Sequence, residues 1–392
     1  MKVLLISSRE LCYFSGSFFL DRIQEELEKI CDVERVEFSE TNLDALQACL
    51  EKRYDAVLDI NSKLPYLVMD DGSRFLDQLQ APFYNYILDH PLYHHPGLVF
   101  PLKDYHAIAI DKRHQAYMKQ YYPHLKTVEY LPLGGTADLH PVDYKDRRID
   151  LLFAGTYLDR KMVERELQGR GQVNTPGQGG VGRFGEQDIY EISMELISKW
   201  NPDEETMEEA LSSLISTEGD SEFRELMNRL YAVDRYMRNE IRTDILVTIA
   251  EAGLPLTVLG EGWENTKLAL FDNVKLLPGC PMEESFRYMA DSKMVLDINP
   301  LFHDGLHDRV SSAWANGAVC VTNMNPDAVP EELRDCTLFY KRCCMDELLQ
   351  SLGSLSEERL LEMSRKSKIY ASTYGSWSHI ARRLYEIMCS TK

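Results

Sequence analysis

Short apolar runs alternate along the chain with segments of helical period. Val3–Ser7, Val33–Phe38, Ala56–Ile60, Phe83–Leu88, His106–Ile110 and Thr127–Tyr130 read as strands, with helices over Phe18–Ile30 and about Leu43–Lys52. Strands separated by helices predict an α/β fold with parallel sheets. Between about Leu131 and Asp150 the pattern lapses into polar, irregular sequence carrying Pro132, Gly134, Gly135 and Pro141, and an interdomain linker is placed there. A second alternating series follows: Ile149–Ala154, Leu256–Gly260, Val274–Leu276, Met294–Ile298 and Ala318–Thr322, closed by a helix over about Trp377–Met388.

One connection breaks the rhythm. From Lys161 to about Arg242 the path from strand to strand is far longer than an ordinary crossover. It holds a glycine-rich patch, Gly169 to Gly185, and then acidic helical sequence. The patch lacks GxxxxGK[ST] and follows no strand directly, so it reads as a mobile loop rather than a phosphate cradle. Asn201 or Asp203 is the expected cap of the helix beyond it.

Charge and composition narrow the function. The 392 residues suffice for two domains, and 44% apolar with 27% charged residues is globular composition. A net charge of −20, spread along the chain, argues against nucleic acid and anionic membranes as partners. No apolar stretch is long enough to span a bilayer, and MKVLLISS reads as a first strand rather than a signal peptide. The nine cysteines form no CxxC pair, which fits reduced thiols and a cytoplasmic location. Adjacent Cys343 and Cys344 are poor candidates for a mutual disulfide.

The richest chemistry lies between Met294 and Asn323. Just past a buried strand, a loop gathers His303, Asp304, His307, Asp308 and Arg309, and a short helix starts near Arg309 or Val310. Ligands of open α/β sheets sit at such strand ends, and the free N–H groups of a helix start suit a phosphate. The bland alternative is a solvated loop between two core strands. An echo of the H-E-x-x-H zinc motif is rejected, because Pro300 and Gly305 oppose the helix which that motif needs.

Other candidates also fall at strand ends. Phe14-Ser15-Gly16-Ser17 leads into the first helix, where small residues permit close approach of a ligand; an ordinary cap by Ser15 or Ser17 is the plain alternative. Asp89 and His90 follow the fourth strand and have the chemistry of a general base. Gly155 and Arg160 follow the first strand of the second series. Arg160 and Arg309 are the expected phosphate pair, against a salt bridge to the acidic insert for Arg160. No GxGxxG follows the first strand, which disfavours a nicotinamide enzyme.

The run H-D-G-L-H-D-R-V-S-S-A-W-A-N-G-A-V-C-V-T resembles the donor-binding segment of GT-B glycosyltransferases, nearest to those grouped with the spore maturation protein CgeB and to the glycosyl transferases group 1 proteins. The likeness covers about 150 to 385, and 1 to 145 only loosely. It implies two Rossmann-like domains facing a cleft: residues 1–145 on the acceptor side, residues 146–372 holding a nucleotide sugar, and residues 373–392 as a helix crossing back. It implies transfer of a sugar from a nucleotide-diphosphate donor to a hydroxyl or amide of a glycan, protein or small molecule, with no metal and no cofactor. The residues implicated are Asp89, His90 and Asp304 as catalytic groups. Gly16, Gly155, Arg160, Gly260, Asn299, His303, Gly305, His307, Asp308, Arg309, Ser311 and Ser312 would bind the donor. The carboxylate pair of retaining relatives falls on Asp304 and Ser312, and Ser312 departs from the pattern. A non-catalytic partner of an active transferase and a sugar-nucleotide epimerase are the alternatives. Truncating the insert is expected to separate an adaptor, which would lose its partner, from a transferase, which would keep donor hydrolysis.

Overall fold

The computed structural model describes residues 1–8, 11–38, 43–168 and 183–390. Twelve strands form two six-stranded sheets. In the first, β1 (Lys2–Ser7), β2 (Asp32–Glu37), β3 (Ala56–Ile60), β4 (Phe83–Ile87), β5 (Tyr105–Ala109) and β6 (Thr127–Tyr130) lie in the order β2-β1-β3-β4-β5-β6. In the second, β7 (Ile149–Ala154), β8 (Leu256–Leu259), β9 (Val274–Leu277), β10 (Ser292–Asp297), β11 (Val319–Thr322) and β12 (Thr337–Phe339) lie in the order β12-β11-β10-β7-β8-β9. Every pairing is parallel. Helices cover both faces, which is why Val3–Ile6 and Ala56–Leu58 are unbroken apolar runs without solvent exposure. β12 has only three residues, too few to show a period, and the sequence pattern missed it.

Strand order locates the ligand-binding edges. The chain reverses direction across the first sheet between β1 and β3, and across the second between β7 and β10. Crevices open at the carboxyl ends of such strand pairs. Here those ends carry Ser8 and Asn61 on one sheet, Gly155 and Asn299 on the other.

The long insert is helical and bridges the two halves. Its helices are Arg160–Leu167, Glu186–Lys199, Met207–Leu214, Asp220–Arg229 and Tyr231–Glu251. Most of the glycine-rich patch, residues 169–182, lies outside the described residues. Thr206 caps Met207–Leu214 in a reciprocal box with Glu209, so neither Asn201 nor Asp203 is the cap. Those two side chains instead accept from Arg342, at 3.1 and 3.2 Å. The insert also packs on the first sheet's connections: Phe223 stacks on Tyr121, Arg224 Nη1 donates to Tyr121 O at 2.6 Å, and Asn228 Nδ2 donates to Leu92 O at 2.6 Å.

Two further joints tie the halves together. The helix Trp377–Ser390 packs against the helix Ser15–Leu27, with Trp377 and Phe19 ring centroids 6.1 Å apart. Phe14, at φ +60°, occupies the cap position of the latter helix, so Ser15 and Ser17 do not cap it. The segment between β6 and β7 runs along the helix Asp308–Ala315: Thr136 N donates to Ser312 Oγ at 3.2 Å, and Asp138 N to Asn316 Oδ1 at 2.8 Å. Gly135 is required there, since a Cβ would lie 2.3 Å from Ser311 O. Among the described residues no helix is long and apolar enough to cross a membrane.

Candidate active site at the facing strand ends

The second sheet's crevice is built around Asp297, the last residue of β10, which has no solvent exposure. Its carboxylate receives Arg309 Nη1 at 2.7 Å, Asn299 Nδ2 at 2.9 Å and Thr322 Oγ1 at 3.2 Å. Arg309 stands in the first turn of the helix Asp308–Ala315, whose cap is His307; the His307 Nδ1 accepts from Arg309 N at 3.3 Å. Burial, reinforced by the Arg309 charge, pushes His307 down to about 3, so the ring is neutral at physiological pH.

Arg242 enters the same crevice from the helix Tyr231–Glu251. It is 7% exposed, and its guanidinium donates to Ile298 O at 3.3 Å and to Asn299 Oδ1 at 3.5 Å. Both acceptors are neutral, and among the described residues no carboxylate comes within ion-pair range of Arg242. Burial and the charges of Arg238 and Arg309 push it well below the usual guanidinium range. One turn earlier Arg238 pairs with Asp234, which also receives the Tyr93 hydroxyl from the first half. Asp234, Arg238 and Arg242 thus form a charged stripe at i, i+4 and i+8 that runs from one wall to the other.

Asp89 faces that stripe from the end of β4. Asn61, held at φ +49° past the end of β3, donates Nδ2 to Asp89 Oδ2 at 3.2 Å, and His94 Nε2 lies 3.5 Å from the same oxygen. Burial alone would raise this carboxyl; His94 and then Arg238 outweigh it and hold Asp89 well below the carboxylate range. Nearby, Ser8 at the end of β1 hydrogen-bonds the buried Asp59, whose own burial raises it to about 6.

The ionisable loop divides among three destinations. His303 N and Asp304 N donate to Asp111 Oδ2 at 3.0 and 2.8 Å, and Gly305 bridges Asp111 in antiparallel fashion. A Cβ on Gly305 would lie 2.3 Å from Ile110 O, so this stretch is docked on the first sheet's wall. His307, Asp308 and Arg309 enter the central crevice beside Asp297. Ser312 Oγ accepts from Thr136 N of the connecting segment, and the backbone oxygen of Ser311 lies against Gly135 there.

The remaining candidates are scattered. His90 is buried; its Nδ1 accepts from Leu92 N at 3.1 Å and its Nε2 lies 3.4 Å from Glu208 of the insert, away from the crevice. The Asp304 carboxylate lies 3.7 Å from Lys112 Nζ. Arg160 is exposed and held by Glu164 at 3.0 Å and Glu240 at 3.6 Å. Gly155 and Gly260 touch: a Cβ at Gly260, whose φ is +149°, would lie 2.2 Å from Gly155 O. Gly16 is buried in the first turn of its helix. Tyr13, at φ +58°, crosses the crevice, with its hydroxyl 2.6 Å from Thr156 Oγ1.

Residues 239–386 match the family model described as glycosyl transferase-like. The DNA-modifying enzyme β-glucosyltransferase, solved in the presence and absence of uridine diphosphoglucose, superimposes with a TM-score of 0.52 over 99% of each chain at 12% identity. The chain has the GT-B fold. The O-GlcNAc transferase of Thermobaculum terrenum shares the fold at a TM-score of 0.50 and 13% identity, over 99% of this chain and 67% of that one. No curated protein matches by sequence. The matched segment begins at Asn239, inside the helix that carries Arg242, and takes in Asp297 and Arg309. The glycosyl transferase-like segment thus lies on the side of the crevice where the arginines converge.

Proposed function

We propose that this protein is a glycosyltransferase that takes its sugar from a nucleoside-diphosphate donor held against the second sheet and passes it to an acceptor hydroxyl or amide presented by the first. In this reading residues 1–145 form the acceptor side, residues 146–372 the donor side, and residues 373–392 the returning helix. The observation that carries it is Arg242, a buried guanidinium with neutral partners only, beside Arg309 at the point where strand order reverses. Burying a cation with no carboxylate in ion-pair range is costly, and a diphosphate spanning two planar guanidinium groups reduces that cost while gaining charge-assisted hydrogen bonds. That the β-glucosyltransferase was solved with uridine diphosphoglucose supports this donor class.

Asp89 is the proposed general base. Its low proton affinity follows from the cations around it. His94 contributes most of the lowering; a bound diphosphate would offset the smaller Arg238 contribution and raise Asp89 part of the way toward ordinary carboxylate basicity. His90 and Asp304 do not serve, since their side chains face Glu208 and Lys112.

The test is thermal stabilisation by UDP, GDP, dTDP, CMP and ADP, with NAD as control. One nucleoside diphosphate should raise the melting temperature of the wild type and not of Arg242→Ala. Absence of any shift in the wild type would favour a non-catalytic partner of a transferase.

A further inference from the structure

Of the nine cysteines, one pair is in thiol contact: Cys343 Sγ and Cys344 Sγ lie 3.6 Å apart in the turn Arg342–Cys344. Cys343 is exposed and Cys344 half-buried. Two outcomes are open to such a pair, and distance separates them. A disulfide needs sulfurs about 2.05 Å apart on residues whose Cα atoms are at least about 4.4 Å apart. Neighbours joined by a trans peptide have Cα atoms only about 3.8 Å apart. A single tetrahedral thiophilic ion, with each sulfur at about 2.3 Å, needs the two sulfurs about 3.8 Å apart. The pair is already near that spacing.

We propose that Cys343 and Cys344 form a bidentate site for one thiophilic atom, either a soft divalent cation such as Zn²⁺ or Cd²⁺ or a trivalent arsenic centre. With a divalent cation, two sulfur–metal bonds form as two thiol protons are released. With an organoarsenic(III) oxide, two arsenic–sulfur bonds form and the oxide oxygen leaves as water carrying both thiol protons. Neither step transfers an electron. Among the described residues no group of three or more His, Cys, Asp or Glu is placed to hold a metal, so the other coordination positions belong to solvent or a small thiol. The site lies next to Arg342, whose hydrogen bonds to Asn201 and Asp203 anchor the insert. The competing sulfurs lie on other elements, with Cys389 Sγ 3.9 Å from Met1 Sδ.

The test uses the full-length chain with phenylarsine oxide, read by intact mass and by alkylation mapping, and with Cd²⁺, read by thiolate-to-cadmium charge-transfer absorption. One phenylarsenic adduct should form and protect both Cys343 and Cys344 from alkylation. Cys343→Ser and Cys344→Ser should each weaken binding by about a hundredfold or more, the loss expected when a chelate becomes a single contact. Cys12→Ser and Cys389→Ser should bind as the wild type does. Persistence of tight binding in Cys344→Ser, an adduct mapped to Cys389, or wild-type binding no tighter than that of Cys343→Ser would each overturn the assignment. So would recovery of the untreated chain two hydrogens lighter, with neither thiol open to alkylation.

Discussion

Arg242 and Arg309 reach the same ring from two segments: their guanidinium carbons lie 5.7 and 5.9 Å from the centroid of Phe153. The ring attracts both cations, but Arg309 has a buried carboxylate partner in Asp297 and Arg242 has only neutral oxygens. The two arginines therefore differ in what they gain from an arriving anion.

Arg242→Met should leave the ligand-free melting temperature unchanged or raised, because it replaces a buried cation that has no direct ion-pair partner with an apolar side chain of similar length. Donor binding should weaken by about 2–3 kcal/mol, the scale of a charge-assisted phosphate contact. Isothermal titration with the stabilising nucleotide checks both parts. Unchanged affinity would remove Arg242 from the site.

Arg160→Ala should change donor affinity by less than about 0.5 kcal/mol, since its guanidinium is exposed and held by Glu164 and Glu240. A loss as large as that of Arg242→Met would restore Arg160 to the phosphate pair.

Asp89→Asn should lower kcat far more than it weakens donor binding, because the amide keeps the contact with Asn61 but cannot take a proton. Steady-state kinetics alongside nucleotide titration separates the two. Equal losses in both would make Asp89 a structural residue.

Asp111→Ala should destabilise the fold by about 2–4 kcal/mol, read from urea denaturation. Asp111 caps its own helix through Arg113 N and His114 N, and holds the loop through His303 N and Asp304 N. The change strands backbone donors from both halves at once. A loss below about 1 kcal/mol, the size of a cap alone, would mean that the loop is not held there.

Stability should fall in mild acid. Burial pushes His307 to about 3 and His114 and His95 to about 4, whereas an unfolded histidine titrates near 6.5. Below pH 6.5 the unfolded chain binds protons that the folded chain refuses. The histidine contribution is therefore complete above that pH and is lost as pH falls toward 4. Asp59, raised to about 6, acts in the opposite sense, as do Asp308, Glu166 and Glu240, also raised by burial; His106, His124 and His303, lowered by burial, add to the loss. A melting temperature that stays flat between pH 6.5 and 4 would show that these rings are not buried neutral.

Much of this was legible in the sequence. Parallel strands covered on both faces appear as apolar runs, and the runs of Ala56–Ile60, Thr127–Tyr130 and Ile149–Ala154 matched the strands residue for residue. The loop His303–Arg309 was visible as chemistry, but its destinations were not, because they depend on Asp111, a residue that looks like any polar strand end. Arg238 and Arg242 were passed over inside a long acidic insert. Their spacing from Asp234 was the available clue, since three charges on one helical face are uncommon on a side that is otherwise buried. Ser312 departs from the family pattern, and its hydrogen bond from Thr136 N joins positions far apart in the chain.

The helix Tyr231–Glu251 sets a limit on how this protein can be cut and recombined. Its early turns belong to the insert and its stripe ends among the groups around Asp297 and Asn299. Excising residues 161–242 would remove Arg238 and Arg242 with the insert, so such a deletion could not tell an adaptor from a transferase. A chimera that exchanges the insert must splice upstream of Asp234, or it will carry the foreign protein's charges into the crevice.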